Sequence, residues 1–171
     1  MRVLGIDPGS RVTGWGLVDS AGGTLRRLDG GCVKLSDDNL PIRLQRILVA
    51  LGEVLTEWSP DVMAVEKVFV SRNASSALVL GHARGAALCA AVQAGVPVAE
   101  YTAAEVKQAV VGRGRADKVQ VQHMVRVLLG LAAAPAADEA DALACAVCHV
   151  NTTTGLALLT GNAGYVAGMR R

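Results

Sequence analysis

Four carboxylates stand out by the company they keep. Asp7 ends an apolar run that starts at Arg2 and is followed at once by Pro8-Gly9-Ser10; Glu66 follows Val62-Met63-Ala64-Val65; Asp138 and Asp141 stand three apart where a late apolar stretch begins. Hydrolysis of a phosphodiester by two divalent ions needs several oxygen ligands around a site where ions about 3.5 to 4 Å apart hold the attacking and leaving oxygens. Hard Mg²⁺ or Mn²⁺ takes carboxylate oxygens for this. Each acid also has a plainer explanation. Asp7 can serve the Pro8-Gly9 turn, Glu66 can pair with solvent beside Lys67, and Asp138, Glu139 and Asp141 can be an acidic first turn facing a helix dipole. The conjunction of four carries the metal reading, and it holds only if the last helix crosses beside the first strand.

The elements that must position these acids can be read from periodicity. Arg2 to Asp7 reads as a buried strand stopped by a tight turn, and Thr13 to Asp19 and Thr24 to Lys34 as strands joined through Ala21-Gly22-Gly23, an antiparallel meander. Leu44, Ile47, Leu48, Leu51, Leu55 and Trp58 recur at helical spacing from about Pro41 until Pro60. Asp61 to Phe69 returns to strand character, and Asn73 can cap a helix that runs to Gly95. Pro97 to Tyr101 is a short strand, Thr102 can cap a helix to Val111, Gly112 to Arg115 is a basic loop, and a further helix ends at Gly130. Asp138 opens the last helix, where Asp138 and Asp141 share a face continued by Cys145 and His149. Adjacent strands would bring Asp7 and Glu66 to one edge. The expected fold is α/β, a five-stranded mixed sheet with helices on both faces, over residues 1–152, with residues 153–171 as a disordered, Gly-rich tail.

Composition narrows the class. A hydrophobic content of 51% over 171 residues suits one domain, and 3% aromatics leave Val, Leu and Ala to fill the core. The formal net charge of +2 says little, but between Lys107 and Arg126 five cations face the single acid Asp117, a basic patch suited to phosphate. Four cysteines and no basic leader before an apolar stretch point to the cytoplasm. The longest apolar tract, Ala74 to Gln93, is broken by His82 and Arg84, so no membrane role is expected. That helix is poor in charge and must be covered, by the sheet or by another subunit, with Gly81 and Gly85 allowing close approach.

GIDPGSRVTGWG at Gly5 to Gly16, VEKVF at Val65 to Phe69 and DEADALA at Asp138 to Ala144 closely resemble the RuvC Holliday junction resolvases. NASSALVLGHARGAA from Asn73, VKQAVVG from Val106 and KVQVQHMVRVLLGL from Lys118 extend the likeness over roughly residues 1 to 150. The resemblance implies an RNase H-like fold, a homodimer, and Mg²⁺-dependent paired nicks in strands of like polarity at a four-way DNA junction, leaving 5′-phosphate and 3′-hydroxyl ends. Mn²⁺ would substitute, with two ions per site bound by Asp7, Glu66, Asp138 and Asp141. The family's branch-migration helicase, of RuvA and RuvB type, is the implied partner. Lys107 and Lys118 match basic positions near the scissile phosphate, Phe69 an aromatic able to stack as a wedge in the junction, and Arg11, Arg72, Arg113 and Arg115 are further DNA-binding candidates. Glu139 departs from the family pattern, being acidic where a small residue is common, and so do Cys145 and Cys148.

Rival readings exist. Cys145, Cys148 and His149 have the spacing of covalent haem attachment, but lie mid-helix. An actin-like or sugar-kinase-like ATPase also opens with an acid and a glycine turn that can cradle phosphates, but needs two such domains. A junction-binding module without catalysis would bind regardless of Mg²⁺ and never nick.

Overall fold

The structure, a computed structural model, describes residues 1–35, 39–67 and 74–160, excepting the side chains of 74 and 156–160. The chain runs β1 (Arg2–Asp7), β2 (Val12–Ala21), β3 (Thr24–Lys34), α1 (Leu40–Trp58), β4 (Val62–Glu66), α2 (Ala74–Gln93), β5 (Val98–Tyr101), α3 (Ala103–Val111), α4 (Lys118–Leu128) and α5 (Ala137–Thr160). The five strands form one sheet in the order β3-β2-β1-β4-β5. β1, β2 and β3 pair antiparallel, while β4 and β5 run parallel to β1, so the sheet is mixed as expected.

Alternation along the strands divides the core in two. Leu4, Ile6, Leu17, Met63 and Val65 pack with Ile47, Leu51 and Leu55 of α1 and with Ala83, Ala87, Ala90 and Ala91 of α2. Val3, Val18, Val62 and Ala64 pack on the other face with α3, α4 and α5, where Leu143, Val147 and Val150 are the larger aliphatic contributions of α5. Helices therefore cover both faces.

The helix ends follow local chemistry. Asn39 caps α1, its side chain accepting from Ile42 N at 3.2 Å, and Ser59 ends the helix in the left-handed region at φ 44°, one residue before Pro60. Thr102 and Glu105 form a capping box on α3, and Asp117 and Gln120 one on α4. α5 does not stop at residue 152. It runs to Thr160, and Thr153 Oγ1 donates back to His149 O and Val150 O at 2.8 and 3.1 Å, which satisfies the hydroxyl within the helix.

Glycines on the sheet let α5 lie unusually close. A Cβ added at Gly5 would overlap the carbonyl of Ala142, one at Gly14 the carbonyl of Asp138, and one at Gly16 the side chain of Leu143. Gly16 is the cross-strand partner of Gly5, and Gly14 that of Asp7. The helix thus rests on backbone rather than on side chains, a seam that strand patterning alone reads as weak β positions.

Candidate functional site

The alternation that divides the core also aims the acids. Val3 in β1 and Val62 and Ala64 in β4 face α5, so Asp7 and Glu66, which continue the same parity, face it too. The parallel register pairs Gly5 with Ala64 and Ile6 with Val65, so one step further sets Asp7 beside Glu66. Across the sheet Asp7 pairs with Gly14, on which the backbone of Asp138 rests. The last helix does cross beside the first strand, and Asp141 follows Asp138 by about one turn.

Electrostatics show how tightly the four are gathered. The Asp7 carboxyl is pushed up to about 7, first by burial and then by the charges of Asp141, Glu66 and Asp138, with Lys118 pulling the other way. Burial and Asp141 likewise raise Glu66, against Lys107 and Lys118. Lys118 Nζ lies 2.5 Å from Asp141 Oδ2, a hydrogen-bonded ion pair that raises the lysine. Acids outnumber the ammonium groups among them, and a divalent cation would relieve that excess of negative charge. The donors are hard oxygens. Cys145, wholly buried with its thiol raised well above the usual range by burial and then by Glu66, stays protonated and offers no competing soft ligand. Among the described residues no three His, Cys, Asp or Glu are already drawn in around one ion position. Asp141 is taken up by Lys118 instead.

Glu139, next to Asp138 in sequence, goes elsewhere. It is buried against Gly30, and Arg27 Nε of β3 donates to its Oε1 at 2.8 Å while Arg27 Nη2 donates to Gly30 O. A helical step of about 100° separates it from Asp138, so it ties α5 to the edge strand and does not join the acid centre. Nothing in the spacing of Arg27 and Glu139 announces this pair. Arg27→Met is expected to cost about 2 kcal/mol by stranding a buried carboxylate, and adding Glu139→Ala should recover most of it. Thermal denaturation of both variants checks this; equal losses would refute the pairing.

The other singled-out residues separate. Lys107 is half-buried on α3 with its charge felt at Glu66, and Lys118 is the first residue of α4. Arg113 and Arg115 are exposed on the connector that leads into Lys118, and Arg11 is exposed at the start of the β2 arm, outside the set of charges acting on Asp7 and Glu66. Phe69 and Arg72 lie outside the described residues. Cys145 and Cys148 are sealed in the core, and His149 Nδ1 is 2.8 Å from the Tyr101 hydroxyl, so this trio packs α5 against β5 and presents no open face to a haem.

Comparison with known proteins agrees with this geometry. Residues 3–149 match the sequence profile of crossover junction endodeoxyribonuclease RuvC. The chain is 54% identical over 170 residues to the crossover junction endodeoxyribonuclease RuvC of Azoarcus sp. strain BH72, covering 99% of this chain and 91% of that protein. Among solved structures, Thermus thermophilus RuvC superposes with a TM-score of 0.83 at 42% identity, covering 91% of this chain and 96% of the other. T. thermophilus RuvC in complex with Holliday junction substrate gives 0.82 at 39% identity, covering 95% and 98%. With the RNase H-like sheet, the carboxylates at its strand ends and a helix laid across them, the chain belongs to the crossover junction endodeoxyribonuclease RuvC family.

Proposed function

We propose that the protein is a structure-selective endonuclease that resolves Holliday junctions by paired, metal-dependent nicks in strands of like polarity, serving homologous recombination and DNA repair in the cytoplasm. The observation that carries this is the convergence of Asp7, Glu66, Asp138 and Asp141, from two strands and a distant helix, with the Asp7 carboxyl raised to about 7 first by its burial and then by the charges of Asp141, Glu66 and Asp138. The solved junction complex of a relative 39% identical supports the substrate. Family membership over residues 3–149 favours this reading over an ATPase domain, and the intact acid set favours it over a module that only binds.

Asp7 and Glu66 would hold Mg²⁺ from the sheet side, and Asp138 and Asp141 from the helix. Held by these four residues, two such ions, or Mn²⁺ in their place, would supply Lewis-acid charge to the attacking and leaving oxygens, and the products would carry 5′-phosphate and 3′-hydroxyl ends. Lys107 and Lys118 attract the phosphate and orient it over the acids. Arg113, Arg115 and Arg11 offer backbone contacts farther out. Phe69, with Arg72 beside it, is proposed on its place in the sequence alone as the wedge that stacks on an opened base.

The direct test incubates the purified protein with labelled mobile four-way junctions and with linear duplex, each with and without Mg²⁺. Symmetric nicks confined to junctions and to Mg²⁺ are expected. Equal cutting of duplex, or cutting in chelator, would overturn the assignment.

A resolvase that makes paired cuts needs two active sites, and α2 offers the surface for a second copy. Ser75–Gln93 is long and apolar enough to cross a membrane by length and composition, and only 22% of it is buried. Leu78, Gly81, Gly85, Cys89 and Val92 fall on one stripe, with Leu78 62% and Val92 73% exposed and open space above both glycines among the described residues. Two such stripes related by a two-fold axis would cover one another. Leu78→Glu is expected to shift the protein from dimer to monomer at micromolar concentration in sedimentation velocity, and an unchanged dimer would remove α2 from the interface. The helicase partner of RuvA and RuvB type is proposed from the family alone.

A further inference from the structure

The acid centre already contains one cation of its own. Lys118 Nζ sits 2.5 Å from Asp141 Oδ2, and its charge acts on Asp7 and Glu66 as well. The backbone beneath it is fixed, because Lys118 is the first residue of α4 and the preceding Asp117 is locked in a capping box with Gln120. The side chain is not fixed in the same way. It is 58% exposed, Asp141 is its ion-pair partner, and its stem crosses solvent to reach a carboxylate only 23% exposed. An oxygen that accepts from an ammonium at this distance has turned a lone pair to it, and a metal ion approaching along the same direction meets a like charge.

We propose that Lys118 is a resident counter-cation of the metal-free centre: it offsets part of the charge of the four carboxylates and occupies Asp141 before metal and DNA arrive, and gives Asp141 up when a divalent ion binds, leaving its ammonium free for the substrate phosphate. This rests on the metal-centre reading above and adds a consequence to it. A lysine that only contacts phosphate leaves metal affinity in the absence of DNA untouched. A lysine that only supports the fold destabilises the protein equally with and without metal. A resident counter-cation does neither: its removal strengthens metal binding while weakening the metal-free fold, because Asp141 loses its ion-pair partner among crowded acids.

Calorimetric titration with Mn²⁺ and with Mg²⁺, at low ionic strength and without DNA, separates these roles in the full-length wild type, Lys118→Met, Lys118→Arg and Asp141→Asn. Lys118→Met is expected to bind either ion roughly three- to tenfold more tightly than wild type, the effect of removing one like charge at contact range in partly screened surroundings. Lys118→Arg should stay close to wild type, and Asp141→Asn should bind more weakly. In parallel, Lys118→Met should melt below wild type in chelator, and the difference should shrink or reverse as Mg²⁺ is added. Metal affinity equal to or weaker than wild type in Lys118→Met, with wild-type binding intact, overturns the counter-cation role and leaves the metal centre standing. Absence of binding in all four proteins overturns the metal centre and this role together.

Discussion

Asp7→Asn should leave a folded protein that still binds four-way junctions but nicks them at least about 100-fold more slowly. Loss of a hydrogen-bond partner behind a metal ligand typically costs 10- to 100-fold, and Asp7 is proposed as a ligand itself, placed between Glu66 on the next strand and Asp138 above Gly14. Binding should persist because it draws on the basic side chains around the site, which the substitution leaves in place. The same change should act on stability in the opposite direction. Burial and three neighbouring acids lift the Asp7 carboxyl from its ordinary 3.8 to about 7, so between these values the metal-free fold binds more protons than the unfolded chain. Its stability therefore falls as pH rises through that window and changes little from this source below pH 4 or above pH 8. The full gap corresponds to about 4 kcal/mol, which solvent at the mouth of the site reduces to on the order of 2 kcal/mol. In chelator at pH 8, Asp7→Asn should melt above wild type, and the two should converge near pH 4. Quantitative gel assays of cutting and binding, with scanning calorimetry at both pH values, test both halves. Retained cleavage, or junction binding lost in step with cleavage, would remove Asp7 from the metal centre.

Gly5→Ala should be the most damaging single-atom change outside the acids. The added methyl would overlap the carbonyl of Ala142 and crowd Ala146 N at 2.9 Å, both of them helix backbone with no rotamer by which to retreat. Helix α5 must lift or slide. Overpacking of this kind costs typically 1 to 3 kcal/mol and occasionally more, and a backbone obstacle places this case at about 3 kcal/mol. The functional loss should exceed the loss of folded protein, because the displaced segment carries Asp138 and Asp141 while Asp7 stays on the strand. Cleavage measured well below the melting temperature, normalised to folded fraction, should drop at least about tenfold, in line with the sensitivity of positioned groups to shifts near 1 Å. Gly52→Ala is the control, since nothing lies within 4 Å of a Cβ there and α1 should accept it. If Gly5→Ala melts like wild type and cuts at full rate, the close seam between β1 and α5 does not position the site.

Much of this was legible before any coordinates. The meander, the strand end at Asp7 and the cap at Thr102 are local features, written in period-two burial, turn residues and short-range hydrogen bonds, whereas the strand expected over Asp61 to Phe69 is β4 over Val62–Glu66. Strand parity fixes that Asp7 shares a face with Val3, and Glu66 with Val62 and Ala64, and the packing of that face on α5 aims both acids. Past residue 152 the polar, Gly-rich composition and weak periodicity suggest an irregular tail, whereas α5 continues to Thr160.

What the chain order by itself determined is therefore the set of acids and the elements that bear them, since these depend on neighbours a few residues away. Tertiary structure alone decided that α5 lies on Gly5, Gly14 and Gly16, that Glu139 turns to Arg27 while Asp138 and Asp141 turn to Asp7, and that Lys118 closes on Asp141. Those outcomes join positions from 23 to more than 100 residues apart. They rest on how near two backbones can approach and where charge can be neutralised, which no local pattern encodes.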